Sequence, residues 1–365
     1  MTETPLEMQR SSRSPDVVRA RLGDWLRTQQ PDAEITDFEG TSANGMSSDT
    51  LMVDATWTVD GIAEPHRLVA RVAPDMHDVP VFPSYDLTRQ FELIRSVAEL
   101  TTVPVPEMLW NEPSAEPLGA PFFVMSRIDG VVPPDVMPYN FGDSWLFNAT
   151  SEEQRTLQDA TVDLLAELHD MPVPDFLDFD EPGDTALRRH VAHTRAWYDF
   201  AARDTGPAAL IEQGFDWLDA HWPATESATV VSWGDARIGN VLYRDFRPVA
   251  VLDWEMAGAG PRELDVAWFI HAHRVFEDLA TMLGLPGMPD FMRREDVVAR
   301  YAAASGYELR DLDFYEVYCA VQWGIVYLRT GTRQVRFGER QMPPEPDELL
   351  YNREPLERML AGTYF

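Results

Sequence analysis

The chain has 365 residues, 45% of them hydrophobic, and carries 61 acidic against 30 basic side chains for a formal charge of −31. That length suits two lobes with well-packed cores, and the acidity excludes the basic face that nucleic-acid phosphates require while favouring a cationic small-molecule partner. Every one of the 30 basic residues is Arg, which removes P-loop NTPases and Schiff-base enzymes, because both need a lysine amine. A single cysteine, Cys319, leaves no intrachain disulfide and points to core packing. No run of about 18 apolar residues is present and residues 1–15 are polar, so a cytoplasmic protein without membrane or nucleic-acid partners, monomeric or homodimeric, is expected.

In chain order, residues 35–39 and 50–59 read as strands joined by a loop of small residues over 40–49, and 66–74 as a third strand carrying Arg71. Residues 84–100 space Leu87, Phe91, Ile94 and Val97 as a helix does. Residues 122–130, with Met125 and Arg127, form a further strand and its exit. The Pro- and aromatic-bearing stretch 131–149 is too long for an ordinary connector and is expected near a cleft mouth. Residues 151–169 open on a capping box, Ser151-x-x-Gln154, and bury Leu157, Thr161, Leu164, Leu165 and Leu168. Helices are also expected over 264–279, 293–304 and 314–329, and a short one after Pro343-Pro344-Glu345-Pro346. His271 and His273 lie two apart and share no helix face, so no zinc site is expected there.

The chemistry concentrates in residues 232–255, SWGDARIGNVLYRDFRPVAVLDWE. Two β-prone runs flank the turn-like Arg244-Asp245-Phe246-Arg247, the pattern of a hairpin. A turn centred between Phe246 and Arg247 sets Asn240 opposite Asp253, with Cβ atoms roughly 5 Å apart. One carboxylate and one amide oxygen suit a Mg²⁺ ion that keeps other positions for water and phosphate. Asp235, on the loop leaving the strand 229–233, is placed to accept the proton of an alcohol attacking a γ-phosphate.

The order Asp235-x-x-x-x-Asn240, then Asp253-Trp254-Glu255, with Gly234, Gly239 and the downstream residues 261–268, resembles the aminoglycoside phosphotransferase and choline kinase family, whose fold is related to that of protein kinases. The resemblance implies an α+β, two-lobe, protein-kinase-like fold. A small antiparallel β-sheet lobe over residues 1–128 would bind nucleotide and end at the hinge. A larger, mainly helical lobe over 129–365 would hold the catalytic loop, metal site and acceptor pocket. The implied activity is ATP-dependent transfer of the γ-phosphate to an alcohol of a small molecule, with ATP and Mg²⁺ as cofactors. The acceptor could be an aminoglycoside, choline, homoserine or a sugar, and a nucleotide-binding regulator with weak catalysis is the alternative. Asp235 takes the role of base, and Asn240 and Asp253 those of metal ligands. Arg71 stands where the family has its phosphate-gripping Lys or Arg, Ser47 lies on the loop over the phosphates, and Met125 and Arg127 belong to the adenine-binding hinge. Gln90 stands where the partner Glu of the strand cation is usual, with Glu92 nearby, and which of them pairs with Arg71 is open. Asp265 matches an Asp that supports the catalytic loop. His169 matches a common position and is read as structural. Trp233 replaces the usual His before Gly-Asp, and its single N–H is expected to orient the loop in that residue's place. Tyr315, Trp323 and Tyr327 are candidates for an aromatic acceptor wall, with core packing the competing role.

Overall fold

The computed structural model describes residues 14–40, 49–77, 79–135 and 138–365. The chain divides into two compact units, residues 1–95 with 106–127, and residues 96–105 with 128–365.

In the first unit, helix α1 (Pro15–Gln29) starts on a proline and buries Leu22, Trp25 and Leu26. A five-stranded antiparallel sheet follows, built from β1 (Glu34–Glu39), β2 (Asp49–Val59), β3 (Ile62–Val72), β4 (Met108–Glu112) and β5 (Phe122–Ser126) in the order β1-β2-β3-β5-β4. Leu51, Val53, Ala55 and Trp57 alternate inward along β2, as a sheet with one covered face requires. The β2–β3 hairpin turns on Asp60 and Gly61, both at positive φ, the two-residue geometry that matches strand twist. Trp25 packs edge-on against Phe122, ring centres 4.7 Å apart, and its Nε1 donates to Glu112 at 2.9 Å. Helix α2 (Leu87–Leu100) begins in this unit and buries Leu87, Phe91 and Ile94. Neither α1 nor β4 is signalled by the sequence patterns above.

The second unit is mainly helical: α3 (Ser151–Leu168), α4 (Ala186–Thr205), α5 (Ala209–Ala220), α6 (Glu263–Met282), α7 (Arg294–Ser305), α8 (Leu312–Arg336) and α9 (Arg353–Leu360). Two small antiparallel pairs complete it, β6 (Thr229–Ser232) with β9 (Gly258–Pro261), and β7 (Val241–Arg244) with β8 (Arg247–Val251). The capping box of α3 is formed by Thr150 and Glu153, one residue ahead of the expected Ser151 and Gln154: Thr150 Oγ1 accepts from Glu153 N and the Glu153 carboxylate accepts from Thr150 N. Helix α8 is the hub, packing on α4, α5, α6 and α9. Tyr315 lies in its buried stripe and is core, whereas Trp323 and Tyr327 are half-buried. Among the described residues no helix is long and apolar enough to cross a membrane.

One buried charge in this core has a consequence for stability. Glu316 on α8 is fully buried, has Arg294 Nε 3.2 Å away, and among the described residues neither carboxylate oxygen finds a hydrogen-bond donor. Burial pushes its carboxyl up to about 7, against the pull of Arg294 and Arg274. The folded state therefore holds a proton that the unfolded chain has released, so stability falls as pH rises from about 4.5 through 7. Glu316→Gln should raise unfolding free energy at pH 8 by on the order of 2 kcal/mol and give no gain at pH 4, as read by urea titration at the two pH values.

Candidate active site

Strand β6 ends at Ser232 and delivers a loop, residues 233–240, that closes on a 3₁₀ turn, Ile238–Asn240, before β7. This loop is held from beneath by Asp265, fully buried in the first turn of α6. One carboxylate oxygen accepts from Ser232 Oγ at 2.8 Å and Gly234 N at 2.9 Å. The other accepts from Trp233 N at 2.7 Å and faces His169 Nε2 at 3.0 Å. His169, at the C-terminal end of α3, is fixed through Nδ1 by the Tyr301 hydroxyl at 2.7 Å. Burial raises the Asp265 carboxyl, but His169 and the two backbone N–H groups outweigh it and leave the group below the usual carboxylate range.

Trp233 is wholly buried and its Nε1–H donates to the carbonyls of Leu252 at 2.9 Å and Asp253 at 3.1 Å. The indole thus ties the loop that carries Asp235 to the backbone that carries Asp253. Asp253 itself sits at φ +60°, left-handed backbone that a non-glycine adopts at a cost. Gly234, at φ +88°, lies against the Met256 carbonyl so closely that a Cβ would collide with it.

Asp235 is a well-bounded carboxylate. Trp268 Nε1 reaches Oδ1 at 2.8 Å, Asn240 Nδ2 reaches Oδ2 at 2.6 Å, and Arg237 Nε spans both oxygens at 3.0 Å. Because Asn240 must turn its nitrogen to a carboxylate, and also bonds the Asp235 carbonyl at 3.0 Å, its Oδ1 is directed away from Asp235. Arg237 also pairs with Asp135, in the segment that follows residue 130. Arg237, Asp135 and Trp268 are site residues to which the sequence patterns give no role; the position of Arg237 two residues after Asp235 is the one local hint.

The hairpin register differs from the expected one. Val241 pairs with Val251 and Leu242 with Ala250, but a bulge then shifts the ladder so that Arg244 pairs with Arg247. The turn residues are Asp245 and Phe246, both at positive φ. Asn240 accordingly stands beside Leu252, whose N–H bonds the Asn240 carbonyl at 2.8 Å, and not opposite Asp253. The two residues still stand at the base of the same hairpin, and their oxygen donors, one amide and one carboxylate, suit a hard divalent cation. Among the described residues no three His, Cys, Asp or Glu side chains converge as a metal cage.

In the first unit, Arg71 on β3 pairs across the ladder with Thr50 and Phe123, and its Nη1 lies 3.5 Å from Thr50 Oγ1. Gln90 is buried, while Glu92 is half-buried and within 3.4 Å of Arg95. Met125 is buried in β5, and the Arg127 guanidinium pairs with Asp54 on β2 while its backbone N–H donates to the Arg67 carbonyl at 2.8 Å. Ser47 lies outside the described residues.

The sequence profile of the phosphotransferase enzyme family matches residues 56–315, most of the chain. The chain belongs to this family. As a member it is a kinase-type enzyme. It is 26% identical over 247 residues to the probable acyl-CoA dehydrogenase IBR3 of Arabidopsis thaliana, a match covering 61% of this chain and 28% of that protein. It is 25% identical over 241 residues to acyl-CoA dehydrogenase family member 10 of Mus musculus, covering 62% and 21%. The phosphotransferase thus spans about a quarter of the length of these curated relatives. A putative aminoglycoside phosphotransferase of Ralstonia eutropha superposes with a TM-score of 0.64 at 19% identity, over 94% of this chain and 97% of that one. The aminoglycoside phosphotransferase APH(4)-Ia, in a ternary complex with AMP-PNP and hygromycin B, superposes with a TM-score of 0.57 at 15% identity, over 94% and 99%. These likenesses establish the α+β, kinase-like fold.

Asp265→Asn should lower unfolding free energy at pH 7 by about 3 kcal/mol, since the amide sets an N–H₂ against groups that donate to the carboxylate. The folded pKa lies below the ordinary 3.8, so the carboxylate's contribution is complete above that value and is lost as falling pH passes through the lower one. The gap between the two proteins, followed by denaturant titration, should therefore hold from pH 7 to about 5 and narrow below about 4.

Proposed function

We propose that this phosphotransferase moves the γ-phosphate of Mg²⁺-ATP to a hydroxyl of a small molecule, with Asp235 as the base. The observation that carries the reading is the Asp235 and Asn240 pair, 2.6 Å apart on a loop anchored to buried Asp265. In the transfer, the acceptor O–H proton passes to the Asp235 carboxylate and the oxygen lone pair forms the new bond to phosphorus. The bond from phosphorus to the bridging oxygen breaks, and its electron pair leaves with ADP. Asn240 Oδ1 and the Asp253 carboxylate would hold Mg²⁺, which when bound neutralises charge on the phosphates. Trp233 keeps the Leu252 and Asp253 carbonyls fixed to the catalytic loop, so base and metal ligands move as one piece. Arg71, always protonated and able to grip two oxygens, would take the α- and β-phosphates. Ser47 on the phosphate loop, and Met125 and Arg127 at the hinge, would complete the nucleotide site, and residues 1–128 and 129–365 would be the two functional lobes.

For the acceptor, the solved relative bound to hygromycin B favours an aminoglycoside, as does the charge of −31. The acyl-CoA dehydrogenase names of the relatives favour a second class, the hydroxyl of a hydroxyacyl-CoA thioester. ADP release measured with Mg²⁺-ATP against aminoglycosides, hydroxyacyl-CoA thioesters, choline, homoserine and sugars separates them: one class should stimulate turnover and the others leave the background unchanged. Asp235→Asn should keep nucleotide binding and lower turnover by about 10² to 10⁴, and unchanged turnover would remove Asp235 as base. Asp253→Ala should abolish metal-dependent nucleotide binding in calorimetry, and a variant that binds Mg²⁺-ATP normally would remove the metal assignment.

A further inference from the structure

A carboxylate offers about four lone-pair directions, and on Asp235 all four are in use: Trp268 Nε1 and Arg237 Nε on Oδ1, Asn240 Nδ2 and Arg237 Nε on Oδ2. A base in this state has no place for an acceptor hydroxyl, so one donor must leave before it can act. Two of the three are fixed. Trp268 is buried and stacked on Trp323, ring centres 5.8 Å apart, and Asn240 is held by a second bond to the Asp235 carbonyl. Arg237 is the donor free to go, because it spreads one N–H over both oxygens and already touches a second carboxylate, Asp135. Asp135 has room for more: its Oδ1 is buried without a hydrogen-bond partner among the described residues, while Oδ2 takes Arg237 Nη1. Gly239 leaves the space, since a Cβ there would stand 2.6 Å from Asp135 Oδ1 and 2.7 Å from Arg237 Nη1. The three residues border one narrow crevice with Tyr139, Phe269 and His273.

We propose that Arg237 is a transferable latch on the base: without acceptor it occupies Asp235, and acceptor binding sends the guanidinium onto both oxygens of Asp135. Two parallel N–H bonds to one carboxylate are a strong arrangement for Arg, so the departure from Asp235 has a built destination. The latch rests on the phosphotransferase reading above and adds its regulation: a base capped in the absence of acceptor is poor at passing phosphate to water. Arg237 acts here through Asp235 and is a positioning residue.

The test is acceptor-free hydrolysis of Mg²⁺-ATP by the full chain, with thermal melting and Mg²⁺-ADP calorimetry to establish folding and nucleotide binding. Arg237→Ala should hydrolyse about tenfold faster than the natural chain, the rate equivalent of one lost competing hydrogen bond, and Arg237→Gln serves as the second variant if the alanine protein melts early. Asp135→Ala, which removes the destination and leaves the latch on the base, should hydrolyse at or below the natural rate. The double variant Asp235→Asn with Arg237→Ala should lose the gain. A purely structural ion-pair network moves both single variants in the same direction, so an Arg237→Ala rate no higher than natural, or an Asp135→Ala rate above it, overturns the latch. If Asp235→Asn leaves natural hydrolysis unchanged, the phosphotransferase reading fails first and the latch falls with it.

Discussion

The site depends on one buried carboxylate. Asp265 exposes nothing to solvent, yet it receives Ser232 Oγ and the backbone N–H groups of Trp233 and Gly234 while facing His169. Taking a charge out of water costs several kcal/mol unless hydrogen bonds replace the lost hydration, and these contacts fill the lone pairs of both oxygens. Its place in the first turn of α6 adds the favourable end of the helix dipole. Each donor comes from the strand-to-loop junction or from the end of α3, so a single side chain fixes where the loop that carries Asp235 leaves β6. Asp235 has a defined position because Asp265 does.

Trp233 extends that order to the other side of the hairpin. An imidazole would offer two ring nitrogens, whereas the indole has one N–H, shared between the Leu252 and Asp253 carbonyls. The larger ring also fills volume, lying 5.9 Å from Trp254 between ring centres. The indole therefore anchors the loop through backbone contacts on either side of the bond that enters Asp253, whose φ is positive.

Much of this was legible in the sequence because it rests on local spacing. Asp235, Asn240, Asp253 and Asp265 lie within about thirty residues, and the strand alternation around Arg71 appears as β3. The register of β7 and β8 was not legible, because Phe246 adopts positive φ, which propensity does not anticipate for an aromatic residue, and because a bulge follows Leu242. The α3 cap fell one residue early because Thr150 and Ser151 are chemically equivalent caps, and only the backbone decides between them. The Arg237 and Asp135 pair joins positions 102 residues apart, and no spacing rule reaches that far. Helix α1 went unread because its apolar stripe is thin, Leu22, Trp25 and Leu26 being its main buried side chains.

The partners of Asp265 also bear on how the enzyme comes into being. Its bond to Ser232 spans 33 residues of chain and its contact with His169 spans 96. Contacts of such sequence separation form only after long loops have closed, at an entropic cost that grows with their length. The loop that carries Asp235 therefore cannot take its shape from its own residues alone; it depends on the docking of α3 and α6. A nascent or partly unfolded chain, even with β7 and β8 already paired, would carry the full motif and lack the site. The working shape of this loop thus requires the helical core to be closed around it.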